Sequence, residues 1–294
     1  MNKKTMAMAA SLAIGGSLLF GAVLTNASQL SGYEAYKNAL NDTKNLQNET
    51  IDMTASITDN GSSLANISSN LKRNESSNAM SEVTTLKSGD VNQTYSSYEQ
   101  DGKRITKNSN SDQYLERDDS HLNSKAAKDT QNPVVQKSME VVVDTLVGSM
   151  QNKINTTDNA DGTKSININI GESDVTPLVN ALTSLAFTAE NHRGSYQNTS
   201  SEKTNMKDFK DLIPQLQSDI KVVSVNSTGN INSNDIITNQ TATIVVSGTD
   251  AQGTQHQLTF KIDLNLSNIN STTPDKVDLT GKQVKTVSFH NEEN

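Results

Sequence analysis

Leu258-Thr259-Phe260-Lys261-Ile262-Asp263-Leu264-Asn265-Leu266 places an apolar residue at every second position and a polar one between. Successive side chains of a β-strand point to opposite faces, so a period of two predicts a strand with one buried and one wet face. An amphipathic helix would need its apolar residues three and four apart. Upstream, Asp250-Ala251-Gln252-Gly253 has the chemistry of a hairpin loop. Downstream, Pro274 ends pairing, and 277–287 reads as an edge strand or an extended tail. Two further strands precede the loop: one around Val223 and Val225, and one over 237–246 with Thr241 and Thr243 between apolar neighbours.

The same period fills the first half of the chain. Ile51, Met53, Ala55 and Ile57 alternate with polar residues up to the turn Asp59-Asn60-Gly61. Ala65, Ile67, Ser69 and Leu71 form the next strand, and 74–78 the next turn. Strands over 79–87, around Tyr95 and Tyr98, over 104–107 and over 112–116 complete an antiparallel meander, with Gly89-Asp90 and Asp101-Gly102 as punctuation. Asp161-Gly162 marks a further hairpin whose second strand holds Ile166, Ile168 and Ile170.

Helical signals interrupt the strands. Ser31-Gly32-Tyr33-Glu34 has the form of a capping box, and Tyr33, Tyr36, Leu40, Thr43 and Leu46 then share one helical face. Asn132-Pro133 opens a helix bearing Val134, Val135, Met139, Val142, Val143, Leu146, Val147 and Met150. Asp174 or Thr176 with Pro177 opens another with Leu178, Leu182 and Leu185, and a short one is expected over 206–213 after a polar loop at 190–205. The expected fold class is therefore α+β. A large curved antiparallel sheet, an open half-barrel, would carry an N-terminal helix and two or three helices packed on one face. Residues 28–294 are read as one domain.

Composition bounds the partners. The chain has 33% hydrophobic and 4% aromatic residues, no Trp and no Cys, and a net charge of −8. An acidic balance argues against nucleic acid, and the missing Cys excludes disulfides and thiolate metal sites. Residues 1–27 have the three parts of a secretory signal: Lys3 and Lys4, an uncharged apolar run over 5–25, and the exit Thr25-Asn26-Ala27. Cleavage after Ala27 gives a secreted or cell-envelope, extracytoplasmic protein that starts at Ser28. The alternative is that 5–25 stays as a membrane anchor, and only then is a membrane a partner.

In element order the chain resembles the lipoprotein-carrier superfamily of the LolA and LppX type. The resemblance implies a long-stranded open half-barrel with helices across its concave side, and acyl chains or lipidated proteins as cargo. Gly32 to Lys37 (Gly-Tyr-x-Ala-Tyr-Lys) and the strand ending in Asp59-Asn60-Gly61 are also similar to secreted proteins of unassigned function from spore-forming Gram-positive bacteria. The LppX-type lipid tether is missing, because there is no Cys to carry it.

No enzyme motif is found. Glu116-Arg117-Asp118-Asp119-Ser120-His121 groups carboxylates with a His, and Asp158-Asn159-Ala160-Asp161-Gly162 imitates part of a calcium loop. The first lacks calcium-loop spacing and is read as a solvated strand end; the second is good turn chemistry. His121, His192, His256 and His290 are far apart, and each is expected to face water. Tyr95, Tyr98 and Tyr114 are read as sheet packing. No catalytic residue, cofactor or metal is assigned. The expected function is a non-enzymatic binding or carrier protein with an apolar cavity between sheet and helices, for a lipid, an acyl ligand or another apolar small molecule. Met139, Val142, Val143, Leu146, Met150, Phe260, Ile262 and Leu264 are its candidate lining. The alternative is a structural or regulatory envelope protein that acts through contacts with other envelope proteins.

Overall fold

The computed structural model describes residues 32–118, 151–177, 179–180, 183 and 213–287. A helix α1 (Gly32–Lys44) is followed by β1 (Asn48–Asp59), β2 (Ser62–Asn74), β3 (Ala79–Ser88), β4 (Val91–Gln100), β5 (Lys103–Asn108) and β6 (Gln113–Asp118). Then come β7 (Ile154–Asp158), β8 (Lys164–Gly171), β9 (Ser218–Ile231), β10 (Ile237–Thr249), β11 (Gln255–Ser267) and β12 (Gln283–Val287). All twelve strands lie in one sheet, in the order β12-β6-β5-β4-β3-β2-β1-β11-β10-β9-β8-β7.

Two meanders meet in the middle of this sheet. β1 pairs antiparallel with β11, with Met53 opposite Leu264, Ala55 opposite Ile262 and Ile57 opposite Phe260. The turns between strands rest on residues with left-handed backbone where the sequence supplies Asn, Asp or Gly: Asn60 and Gly61 have φ of 49° and 84°. The expected turn at 74–78 is a 3-10 turn over Glu75–Ser77, capped by Asn74 and closed by left-handed Asn78.

The fold class differs from the expectation. Of the described residues 60% are strand and 14% helical, and the sheet is open, not closed. α1 is the one continuous helix among the described residues, with helical backbone also at Pro177, Val179, Asn180 and Thr183. Two or three helices packed on one face do not fit. The expected helix from Asn132-Pro133 to Met150, and that at 206–213 apart from Ile213, lie outside the described residues. The physical reason is visible at 213–217. Ile213 is a bend and 214–217 has no regular secondary structure, yet Leu216 is completely buried against Ile220, Val246 and Leu258. A sheet face needs apolar cover, and an irregular segment supplies it here as well as a helix would.

The faces follow the alternation. On β1, β2 and β11 the residues 53, 55, 57, 65, 67 and 262 are buried on one side, while Thr54, Asn66 and Lys261 are exposed on the other. α1 covers one end of the apolar side. Its Tyr33, Tyr36 and Ala39 are buried with Ile154, Ile166, Ile168, Ile170, Val225 and Ile231. Gly32 allows this approach, because a Cβ there would lie 2.7 Å from the backbone N of Thr156. Tyr36 Oη accepts a hydrogen bond from Gln240 Nε2 at 2.7 Å, and Thr43 Oγ1 accepts from the Ile237 N–H at 2.9 Å.

The polar side is crossed by the chain after β11. Asn48 Nδ2 donates to Thr272 O, Asp275 N–H donates to Ser81 Oγ, and Val277 exchanges two bonds with the Gln100 side chain. This strap leads from the middle of the sheet to its rim. There β12 pairs parallel with β6, the one parallel pair among the described strands. A crossover connection is what parallel pairing requires. The edge strand expected within 277–287 is thus present at Gln283–Val287.

Candidate functional site

The middle of the apolar face is built by β3, β2, β1 and β11. Met53, Ala55, Ile57, Ala65, Ile67, Leu86 and Ile262 form one buried cluster, with Leu64, Ile213, Phe260 and Leu264 partly buried against it. Of the expected lining residues, Phe260, Ile262 and Leu264 share this face, because they stand at alternate positions of one strand. Phe260 also touches the adjoining cluster around Leu216 and Leu258. Met139, Val142, Val143, Leu146 and Met150 lie outside the described residues.

Towards β4 and β5 the same face turns polar. Register carries the apolar rows of β1 and β2 onto Glu82 and Thr84 of β3, then Tyr95 and Ser97 of β4, then Arg104 and Thr106 of β5. Glu82 is only 6% exposed and accepts hydrogen bonds from Ser69 Oγ at 3.2 Å and Thr84 Oγ1 at 3.0 Å. Burial pushes its carboxyl above the usual carboxylate range, against the pull of those two hydroxyls and of Arg104. Burial likewise raises the Tyr95 phenol, opposed by its hydrogen bond to Thr106 and by Arg104. Arg104 is ion-paired with Glu99. At the far end of β1 and β2 a second buried carboxylate, Glu49, is raised by burial and paired with Arg73 at 2.7 Å. One face therefore offers an apolar centre with a hydrogen-bonding, charged rim.

The opposite face holds a different feature. Thr54, Ser56, Asn66, Ser68, Thr85, Lys87, Thr241, Thr243, Lys261 and Asp263 line a shallow trough of about 480 Å³. Its walls are hydroxyls, one amide and three charges on neighbouring strands, and Ala55, Ile67, Ala242 and Ile262 also line it. Tyr98 and Tyr114 also point to this side, with Lys107 Nζ 5.7 Å from the Tyr114 ring centre. Tyr95 points to the apolar side, so the three tyrosines form no common surface.

The clusters noted in the sequence resolve as follows. Glu116 is paired with Lys103 at 3.0 Å on β6, while Asp119 to His121 lie outside the described residues. In the 158–162 turn, Asp161 Oδ1 accepts from the N–H and hydroxyl of Thr163, which holds its carboxyl below the usual range. Among the described residues, no group of three or more His, Asp or Glu could hold a metal ion. His121, His192 and His290 lie outside the described residues. His256 departs from the expectation that each His faces water. Its side chain is 12% exposed and sits between Asp59 and Asp250. Asp250 is only six residues away across a hairpin loop, a signal the sequence contains. Asp59 becomes its neighbour only through the β1–β11 pairing.

Among the described residues no helix is long and apolar enough to cross a membrane, and residues 5–25 are outside them. No protein-family model matches the chain, and no curated protein matches it.

Proposed function

We propose that the chain is a non-enzymatic, extracytoplasmic binding or carrier protein whose ligand is apolar, such as a lipid or an acyl chain. The ligand would lie on the apolar face around Phe260, Ile262 and Leu264. The observation that carries the reading is the grading of one face. A floor of buried aliphatic side chains, flanked by half-buried Leu64, Phe260 and Leu264, runs into the polar groups of Glu82, Tyr95, Thr106 and Arg104. An amphipathic ligand matches such a face, tail along the aliphatic rows and polar end at the rim. The eight-residue rise from Leu258 to Leu266 gives a row of roughly 27 Å for an extended chain. Of the element order shared with LolA-type carriers, the N-terminal helix and the long-stranded open sheet support the reading.

The test is native mass spectrometry of the full chain after mild purification, with displacement of a fluorescent fatty acid in solution. Leu264→Gln is expected to lose the probe while remaining folded, and Lys261→Glu on the opposite face to keep it. A folded wild-type chain that is ligand-free and binds no probe would sink the carrier reading.

A second reading is favoured by one specific observation. The 480 Å³ trough lies on the polar face, which suits contact with another envelope protein rather than a lipid. Crosslinking in cells to one discrete partner, abolished by Lys87→Glu with Lys261→Glu, would support it over the carrier.

A further inference from the structure

His256 is the second residue of β11, and its two ring nitrogens face two carboxylates from different turns. Nδ1 is 2.8 Å from Asp59 Oδ2, and Nε2 is 3.2 Å from Asp250 Oδ2. A neutral imidazole has one N–H and one lone pair, whereas an imidazolium has two N–H groups. Both contacts are therefore attractive only when the ring is protonated. With the proton gone, one nitrogen lone pair faces a carboxylate oxygen.

The remaining oxygens fix what each Asp can do without His256. Asp250 Oδ1 accepts from the N–H groups of Gln252 and Thr254 and so belongs to its own loop. Asp59 Oδ1 is buried without a hydrogen-bond partner. Asp59 thus depends on the imidazolium, and Asp250 does not. Asp59 lies at the end of β1, beside the β1–β2 turn, and Asp250 begins the β10–β11 turn. The two turns are also bridged by neutral bonds. Asn60 donates from N to Gln257 O and from Nδ2 to Gln255 O, and its Oδ1 accepts from the Gln257 N–H.

We propose that Asp59, His256 and Asp250 form a proton-operated latch that fastens the β1–β2 turn to the β10–β11 turn at one end of the sheet. The charged groups that face His256 are Asp59 from β1 and Asp250 from the loop. Around them Asn60 and, across on β10, Gly248 carry no titrating group, and Asp219 of β9 is hydrogen-bonded to Thr249. The hydrogen bond to Asp59 raises His256 above the ordinary histidine range, burial opposes it, and Asp250 adds to the rise. Closed below that raised midpoint, the latch opens above it. The Asn60 bonds then hold the turns loosely, at the end of the sheet where Leu258 packs on Leu216.

The test is an NMR titration of the four histidines in the full chain, with His256 assigned through His256→Gln. It is combined with hydrogen exchange at 59–61 and 250–257, corrected for the intrinsic pH dependence. His256 should titrate above the ordinary histidine range. Both turns should lose protection together as the pH passes its midpoint. Asp59→Asn should lower that midpoint, and it supplies the readout should His256→Gln fail to fold. The proposal is overturned if His256 titrates in the ordinary histidine range, if Asp59→Asn leaves its midpoint unmoved, or if the turns keep their protection through the titration.

Discussion

Gly32→Ala tests how α1 is seated on the sheet, because two opposed effects give opposite signs. Alanine is favoured over glycine in a helix by up to about 1 kcal/mol, and it also restricts the unfolded chain. Those terms alone predict a more stable protein. Against them, a Cβ at residue 32 would stand 2.7 Å from Thr156 N and 2.8 Å from both Asn155 Cα and Ile154 O. Ordinary contact begins at 3.4 Å, so about 0.7 Å must be found between α1 and β7. The obstructing atoms are backbone, paired to β8 from Ile154 to Asp158, and Ile154 is itself buried in the cluster. The helix must lift, and Tyr33 and Tyr36 lift with it. Exposing a fifth of two tyrosines uncovers roughly 60–100 Å², or roughly 1.5–2.5 kcal/mol. The net expectation is a loss of about 1–2 kcal/mol, read as a lower urea midpoint at unchanged slope. Gly171→Ala is the internal control. Its φ is −91°, and an added Cβ would meet only Asp174 Oδ2 at 3.7 Å, so it should be neutral or slightly stabilising. A Gly32→Ala protein as stable as wild type would refute the close seating of α1. An equal loss in Gly171→Ala would show that the glycine effect is not local to that contact.

Leu258→Ala removes a fully buried side chain and should cost about 2–5 kcal/mol, while Lys261→Ala, on the exposed side of the same strand, should stay within about 0.5 kcal/mol of wild type. Equal costs in urea titrations would mean that the two faces are misassigned. Glu82 has a folded pKa raised by burial, so its ionisation opposes folding as the pH rises through that value, and none of the penalty is present below its unfolded value. Glu82→Gln keeps an acceptor for Ser69 and Thr84, and should raise the urea midpoint at neutral pH with a gain that shrinks on acidification. A gain independent of pH would refute the burial argument. Tyr36 is pushed up to about 12 by burial, so its stabilisation is intact below pH 10.0, where an unfolded tyrosine ionises, and is lost on the way to about 12. Tyr36→Phe should delete that late step from a tyrosinate absorbance titration and cost about 1 kcal/mol by removing an acceptor from Gln240.

What the sequence made legible is local. The rows 51–57 and 258–266 alternate because each strand has one wet face, and a residue's side is fixed by its parity alone. Turn positions were equally legible, since Asn60, Gly61, Asp101 and Gly102 are residues that tolerate the left-handed backbone they adopt. Parity fails where the ladder is irregular. Val222 and Val225 are both buried on β9, three positions apart, because the β9–β10 register shifts between Val245 and Val246. The partner of each strand is a different matter. β1 and β11 are joined by no turn, and nothing in either stretch says that Ile57 will stand opposite Phe260. The long-range pairing that closes the two meanders into one sheet was therefore out of reach. The latch was hidden with it, because Asp59 and His256 are 197 residues apart and meet only through that pairing. The candidate lining divides the same way. Phe260, Ile262 and Leu264 could be placed on one face from their spacing, but the cover over that face could not be inferred from apolar content. Leu216 shows why. A single leucine in an irregular segment covers the end of the sheet, and the 3.6-residue period that signals a helix gives no notice of such a segment. Burial constrains a strand through its own neighbours in sequence, whereas the covering layer is constrained only by the shape it must fill.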